Sequence, residues 1–201
     1  MLIFIPARLT LLSLPKTGTT ALEVALSDRA DIAFRSAPEI KHLNLRQYRR
    51  NIRPLLTPFG APEFETVATM RDPIDWLRSW YRFRTRDALI GHANSTVQVS
   101  FEQFIEAWLR PMEERPAYAR IGRQSDFLRN GHGHVAITHL FRYEAMDALL
   151  KFLGQRLGSP VTLESKNVSP RTVTDLSPAL EARLREALAA EFEVWESARV
   201  E

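Results

Sequence analysis

The chain contains no cysteine. Disulfides, thiolate nucleophiles and Cys-ligated zinc are therefore excluded, and with them the small disulfide-stapled secreted scaffolds. No apolar run approaches the ~18 residues that read as a membrane span. The opening MLIFIPARLTLLSL lacks a basic leading region, is interrupted by Arg8 and is followed by no small-residue cleavage site, so it does not read as a signal peptide. A cytoplasmic location is the expectation. Net charge is only +3, too little to suggest nucleic-acid binding on charge alone. Lysine is scarce: of 27 basic residues, 23 are arginine, which favours planar recognition of sulfate, phosphate or carboxylate unless it is mere compositional bias.

What is present is ordinary for a globular chain: 201 residues, 45% hydrophobic and 25% charged, enough for one domain with a sizeable core. Internal repeats, low-complexity runs and linkers are not apparent, so residues 1–201 read as a single domain. Two short strands with a turn at Pro6-Ala7-Arg8 open the chain, the second running Leu9–Leu14. A helix over Thr19–Ser27, a strand over Asp31–Arg35, a polar loop to His42 and a basic helix around Asn44–Leu56 follow. Further on come a strand at Thr66–Met70, a helix from Pro73 to about Asp87, a loop over 91–99 and a helix begun by a Ser100/Gln103 capping box. A late strand at His139–Tyr143, an amphipathic helix through Met146, Leu149, Leu150, Leu153 and Leu157, and a helix opened by Ser177-Pro178 complete the order. Strands alternating with helices predict an α/β fold with a central, mainly parallel sheet covered on both faces.

Two stretches carry chemistry. Residues 11–26, LLSLPKTGTTALEVAL, place Pro15, Lys16, Thr17, Gly18, Thr19 and Thr20 between a strand and a helix. Backbone N–H groups at such a helix start face anions. The nucleotide-binding pattern G-x-x-x-x-G-K-[ST] is not matched: the lysine precedes the glycine and the first glycine is missing. Taken alone, a plain turn with a surface lysine explains it as well. Residues 67–84, VATMRDPIDWLRSWYRFR, put Arg71 at the carboxyl end of a strand, where α/β sheets bind ligands. Ser79 falls about two helical turns later. A guanidinium and a hydroxyl could grip one phosphate between them; a surface ion pair of Arg71 with Asp72 or Asp75 competes with that reading. The aromatic-rich face of Trp76, Leu77, Trp80, Tyr81 and Phe83 reads mostly as core.

Together these stretches resemble the sulfotransferases that use 3′-phosphoadenosine 5′-phosphosulfate (PAPS). Pro15-Lys16-Thr17-Gly18-Thr19-Thr20 is similar to their 5′-phosphosulfate loop. Arg71-Asp72-Pro73 with Ser79-Trp80-Tyr81 is similar to their 3′-phosphate segment. LFRYEAM (140–146) and KNVSPR (166–171) look like elements of the prokaryotic and Golgi-type branches. Many relatives have a second Arg where this chain has Trp76, so contacts there do not carry over. The resemblance implies a three-layer P-loop-type fold, PAPS as sulfuryl donor, cofactor contacts from residues 15–20, Arg71 and Ser79, and Lys16 neutralising the bridging oxygen. It also implies a hydroxyl or amine acceptor, with a carbohydrate or glycan as the family-level expectation. Asn167 and Ser169 would approach the cofactor by the same resemblance, or form a turn before Pro170.

A base must accept the acceptor's proton. His42 is the best-placed of five histidines, between the two motifs, and relatives place a His or Glu here, so Glu39 is the alternative. His132 and His134 read as a surface turn and no metal is expected; His92 and His139 read as ordinary loop and strand residues. Glu144 reads as a helix-start carboxylate. The run Arg46, Arg49, Arg50, Arg53 is a solvated face or a surface for an anionic acceptor. A P-loop small-molecule kinase and a non-catalytic nucleotide-binding protein are the rival functions.

Overall fold

Pro6-Ala7-Arg8 reverses the chain between two apolar strands, β1 (Leu2–Phe4) and β2 (Leu9–Leu11), which pair antiparallel with Leu2 opposite Leu11. A connection this short cannot make a parallel crossover. The structure, a computed structural model, describes residues 1–60, 63–163 and 173–201. Residues 164–172, which include Asn167, Ser169 and the whole 166–171 segment, lie outside the described residues. After β2 come α1 (Thr19–Leu26), β3 (Ile32–Ala33), α2 (Pro38–Lys41) and α3 (Leu45–Gln47). Then follow β4 (Glu65–Met70), α4 (Pro73–Arg84), α5 (Phe101–Trp108), α6 (Gln124–Leu128), β5 (His139–Arg142), α7 (Met146–Leu157), α8 (Pro178–Ala187) and α9 (Ala189–Glu196).

The chain divides into two compact units: Met1–Arg71 with Gln124–Lys166 and Val194–Glu201, and Asp72–Arg123 with Asn167–Glu193. The first unit holds a five-stranded sheet in the order β3-β1-β2-β4-β5. β2, β4 and β5 are mutually parallel, and β3 runs with them because both β2 and β3 are antiparallel to β1. The expected mainly parallel sheet is thus a mixed sheet in which β1 alone is reversed. Strand alternation sends successive side chains to opposite faces. Leu2, Phe4, Leu9, Leu11, Val67 and Phe141 meet Leu22 and Leu26 of α1 and Leu149 and Leu153 of α7. Ile3, Leu12, Ala68 and Met70 pack on the other face with Leu43, Leu45, Tyr48, Ile52, Leu56 and Leu128. Each Leu, Ile, Val, Phe or Met among them contributes about 1.5–3 kcal/mol on full burial.

The expected basic helix at 44–56 is three pieces. An Asn44/Gln47 capping box starts α3, a π-helical turn covers Tyr48–Ile52 and a 3-10 segment covers Arg53–Phe59. Pro54 has no N–H and crowds the carbonyl four residues back, so regular α-helix cannot continue. The loop expected before His42 contains the short α2.

In the second unit, Asp72 caps α4 by accepting from the Ile74 and Asp75 N–H groups at 2.9 Å each. Thr85 turns its hydroxyl back to the Arg82 carbonyl at 2.8 Å, ending α4 at Arg84 rather than near Asp87. Trp76, Leu77 and Tyr81 are buried with Phe104, Trp108 and Leu184, the core role expected of that aromatic face. Ser100 and Gln103 form the predicted box on α5. Ser177 precedes α8, but its side chain makes no cap bond; its N–H donates to Glu102 Oε1 at 2.7 Å instead.

Candidate functional site

The site begins where the first unit's parallel strands end. Beyond β2, Leu12 is held by the Val67 carbonyl at 2.8 Å, and the chain turns at Pro15. Lys16 has φ 70° and Gly18, the residue before α1, has φ 76°. Left-handed residues thus flank Thr17 on both sides, and such residues are a component of the backbone nests that bind anions. The N–H groups of Thr17, Gly18, Thr19 and Thr20 donate to no acceptor among the described residues. A helix start in that condition is suited to an anion.

Thr17 is fully buried, and its hydroxyl donates to the Leu14 carbonyl at 2.9 Å. The Thr69 hydroxyl, from β4, lies 2.9 Å from Thr17 Oγ1 and 3.2 Å from the Thr17 carbonyl. The Thr17 hydroxyl thus braces the loop against β4, while its N–H makes no hydrogen bond among the described residues. Thr19 is buried and Thr20 exposed.

Arg71 follows β4 directly. Gln124, which is 1% exposed, clamps its backbone: Oε1 accepts from the Arg71 N–H at 3.0 Å and Nε2 donates to the Arg71 carbonyl at 2.8 Å. The guanidinium Nη1 lies 3.4 Å from the Lys16 carbonyl. Its Cζ sits 4.6 Å above the Tyr143 ring, which follows β5. A side chain at position 18 would place its Cβ 2.9 Å from Tyr143 Cε2. Glycine is thus favoured there by φ, and any side chain would also have to displace the Tyr143 ring edge. Ser79 lies in the middle of α4, half-buried, in the second unit.

His42 ends α2. Its Nδ1 is 2.6 Å from the Ser13 carbonyl. A carbonyl only accepts, so Nδ1 carries the proton and the neutral ring keeps a lone pair on Nε2. Burial lowers the His42 pKa, the Ser13 bond opposes this, and the Lys41 charge lowers it further. The ring is neutral near pH 7. Ser13 Oγ donates to Glu23 Oε1 at 3.1 Å, and Lys41 Nζ lies 2.7 Å from Glu23 Oε2. The buried Glu23 thereby ties α1, the strand end and the residue before His42 together. Glu39 is exposed on α2.

Other candidates fall elsewhere. His132 and His134 are exposed, their N–H groups donating to Asn130 Oδ1 at 2.9 and 3.1 Å, as a surface turn requires. His92 is exposed. His139 is more than an ordinary strand residue: its Nε2 is 2.9 Å from Glu65 Oε2, which Arg156 also engages. Glu144 accepts from Trp195 Nε1 at 3.1 Å in the turn before α7. Of the basic run, Arg46 and Arg50 are exposed, while Arg49 donates to the Ala136 carbonyl at 3.2 Å.

The structure brings the 15–20 loop and Arg71 together and ties His42 to the strand leading into that loop. Sequence reasoning missed Tyr143, Thr69, Glu23 and Gln124. Thr69 and Tyr143 were open to discovery, because each stands at the end of a recognised strand. Gln124 carries no local signal. Comparison with family models, with curated proteins and with solved structures gives no match, so a functional reading of this chain rests on the geometry of the site itself.

Proposed function

We propose that this chain moves a sulfuryl group from PAPS to an acceptor hydroxyl or amine, on a P-loop-type sulfotransferase fold. The observation that carries the reading is the meeting of two anion-binding elements at one sheet edge: Arg71 Nη1 stands 3.4 Å from the carbonyl of Lys16. One element offers unengaged N–H groups and an ammonium; the other offers a guanidinium. A nucleotide with two separated anionic groups suits that pair. The transferred group would pass from the bridging phosphate oxygen to the acceptor, leaving adenosine 3′,5′-bisphosphate.

In this reading the loop N–H groups and Lys16 balance charge on the leaving oxygen, where a preorganised donor acts without reorganising. Arg71 holds the 3′-phosphate. His42, its tautomer set by Ser13, takes the acceptor proton on Nε2. A carbohydrate acceptor is the family-level choice. Isothermal titration with adenosine 3′,5′-bisphosphate, AMP and ATP, followed by transfer from labelled PAPS across an acceptor panel, tests the reading. Preferential bisphosphate binding with transfer supports it. Binding without transfer makes the chain a nucleotide-binding protein, and preference for ATP points to a kinase.

A further inference from the structure

Three neighbouring parallel strands each deliver one part to the same edge: β2 the loop, β4 Arg71 and β5 Tyr143. The third part is aromatic and touches both others. Its ring lies under the Arg71 guanidinium at 4.6 Å, and its edge closes on Gly18, where an added Cβ would come within 2.9 Å. The phenol hydroxyl makes no hydrogen bond among the described residues, so the ring itself accounts for these contacts.

From this geometry we infer that Tyr143 is a specificity-determining positioning residue: it holds the Arg71 guanidinium over the loop and so sets the preference for a nucleotide bearing a 3′-phosphate. This deepens, and rests on, the sulfotransferase reading. An arginine side chain otherwise samples many rotamers, and ordering it on binding costs affinity. A guanidinium already stacked on a ring loses less, and the ring face attracts the cation. The Lys16 carbonyl fixes the other side of the fork. The same ring edge abuts Gly18, so a side chain at position 18 would have to displace it.

The test compares wild type, Tyr143→Phe, Tyr143→Ala, Arg71→Ala and the Tyr143→Ala/Arg71→Ala double variant. Titration with adenosine 3′,5′-bisphosphate and with AMP should show Tyr143→Phe within about twofold of wild type. Tyr143→Ala should lose about 3–10-fold for the bisphosphate and little for AMP. The double variant should bind the bisphosphate no worse than Arg71→Ala. Equal losses for both nucleotides, or losses that multiply in the double variant, overturn the inference. A ligand-free arm separates its failure from that of the functional reading. The Arg71 Nε–H resonance, assigned with Arg71→Lys, should carry a ring-current shift that Tyr143→Phe keeps and Tyr143→Ala abolishes. If wild type binds neither nucleotide yet the shift behaves so, the functional reading fails and the positioning stands. If the shift is unchanged in Tyr143→Ala, the positioning is wrong whatever binds.

Discussion

Lys16 occupies a backbone region that side chains avoid, at φ 70°. Left-handed geometry costs an L-residue roughly 1–2 kcal/mol. Glycine would release that strain, partly offset by its greater unfolded-state freedom. Lys16→Gly should therefore be more stable than Lys16→Ala by about 1 kcal/mol, read as a higher urea midpoint at unchanged slope. Both variants should lose on the order of 10²–10³-fold in kcat, because the ammonium is absent from each. A Lys16→Gly protein with full turnover would place the ammonium outside the chemistry. His42 offers a second single-residue test. Burial lowers its pKa from 6.5, so the acidic limb of the kcat/KM profile should lie below pH 6.5. That limb should vanish in His42→Ala while bisphosphate affinity stays near wild type, since the base acts only when acceptor attacks. Glu39→Gln, on an exposed position, should leave the profile alone.

At the level of elements, one buried side chain of α6 clamps the backbone that leaves β4. Gln124 satisfies both backbone groups of Arg71 while itself buried. Gln124→Ala should cost about 1–3 kcal/mol in urea denaturation, because partners are left unsatisfied. It should also weaken bisphosphate binding, because the arginine's backbone is no longer held. The far end of β4 carries a different load. Hydrogen bonds from Arg156 and then His139 hold the Glu65 carboxyl below its ordinary 4.5. With the folded value depressed, its contribution is present above about pH 4.5 and is lost as pH falls through the folded value. Glu65→Gln should thus be less stable than wild type at pH 7, with the difference shrinking below pH 4.5 in thermal melts. A difference that is the same at pH 3 and pH 7 would remove the ionic contribution.

Across the whole molecule, what could be read in advance was local. The Pro6–Arg8 turn, the strand at 66–70, the box at Ser100 and the apolar period of α7 are each written within a dozen residues. The loop at 15–20 and Arg71 were visible for the same reason. Three features were not. The placing of β1 between β2 and β3 depends on where a crossover lands. The Gln124 clamp joins residues 53 positions apart. The brace between the Thr17 and Thr69 hydroxyls joins residues 52 positions apart. Side-chain chemistry was legible where one segment supplies it and hidden where two must meet.

The reversed strand has a kinetic consequence. β1 occupies the slot between β2 and β3, so those two strands cannot pair with each other, and β3 joins the sheet through β1. Hairpin β1–β2 closes over a few residues and forms in about 1–10 μs as an isolated event. Its turn is imperfect, for Arg8 sits at φ 49°. Arg8→Gly should then accelerate refolding more than it slows unfolding, the mark of a contact already made at the barrier. The order of assembly would be set by the one strand that points the wrong way.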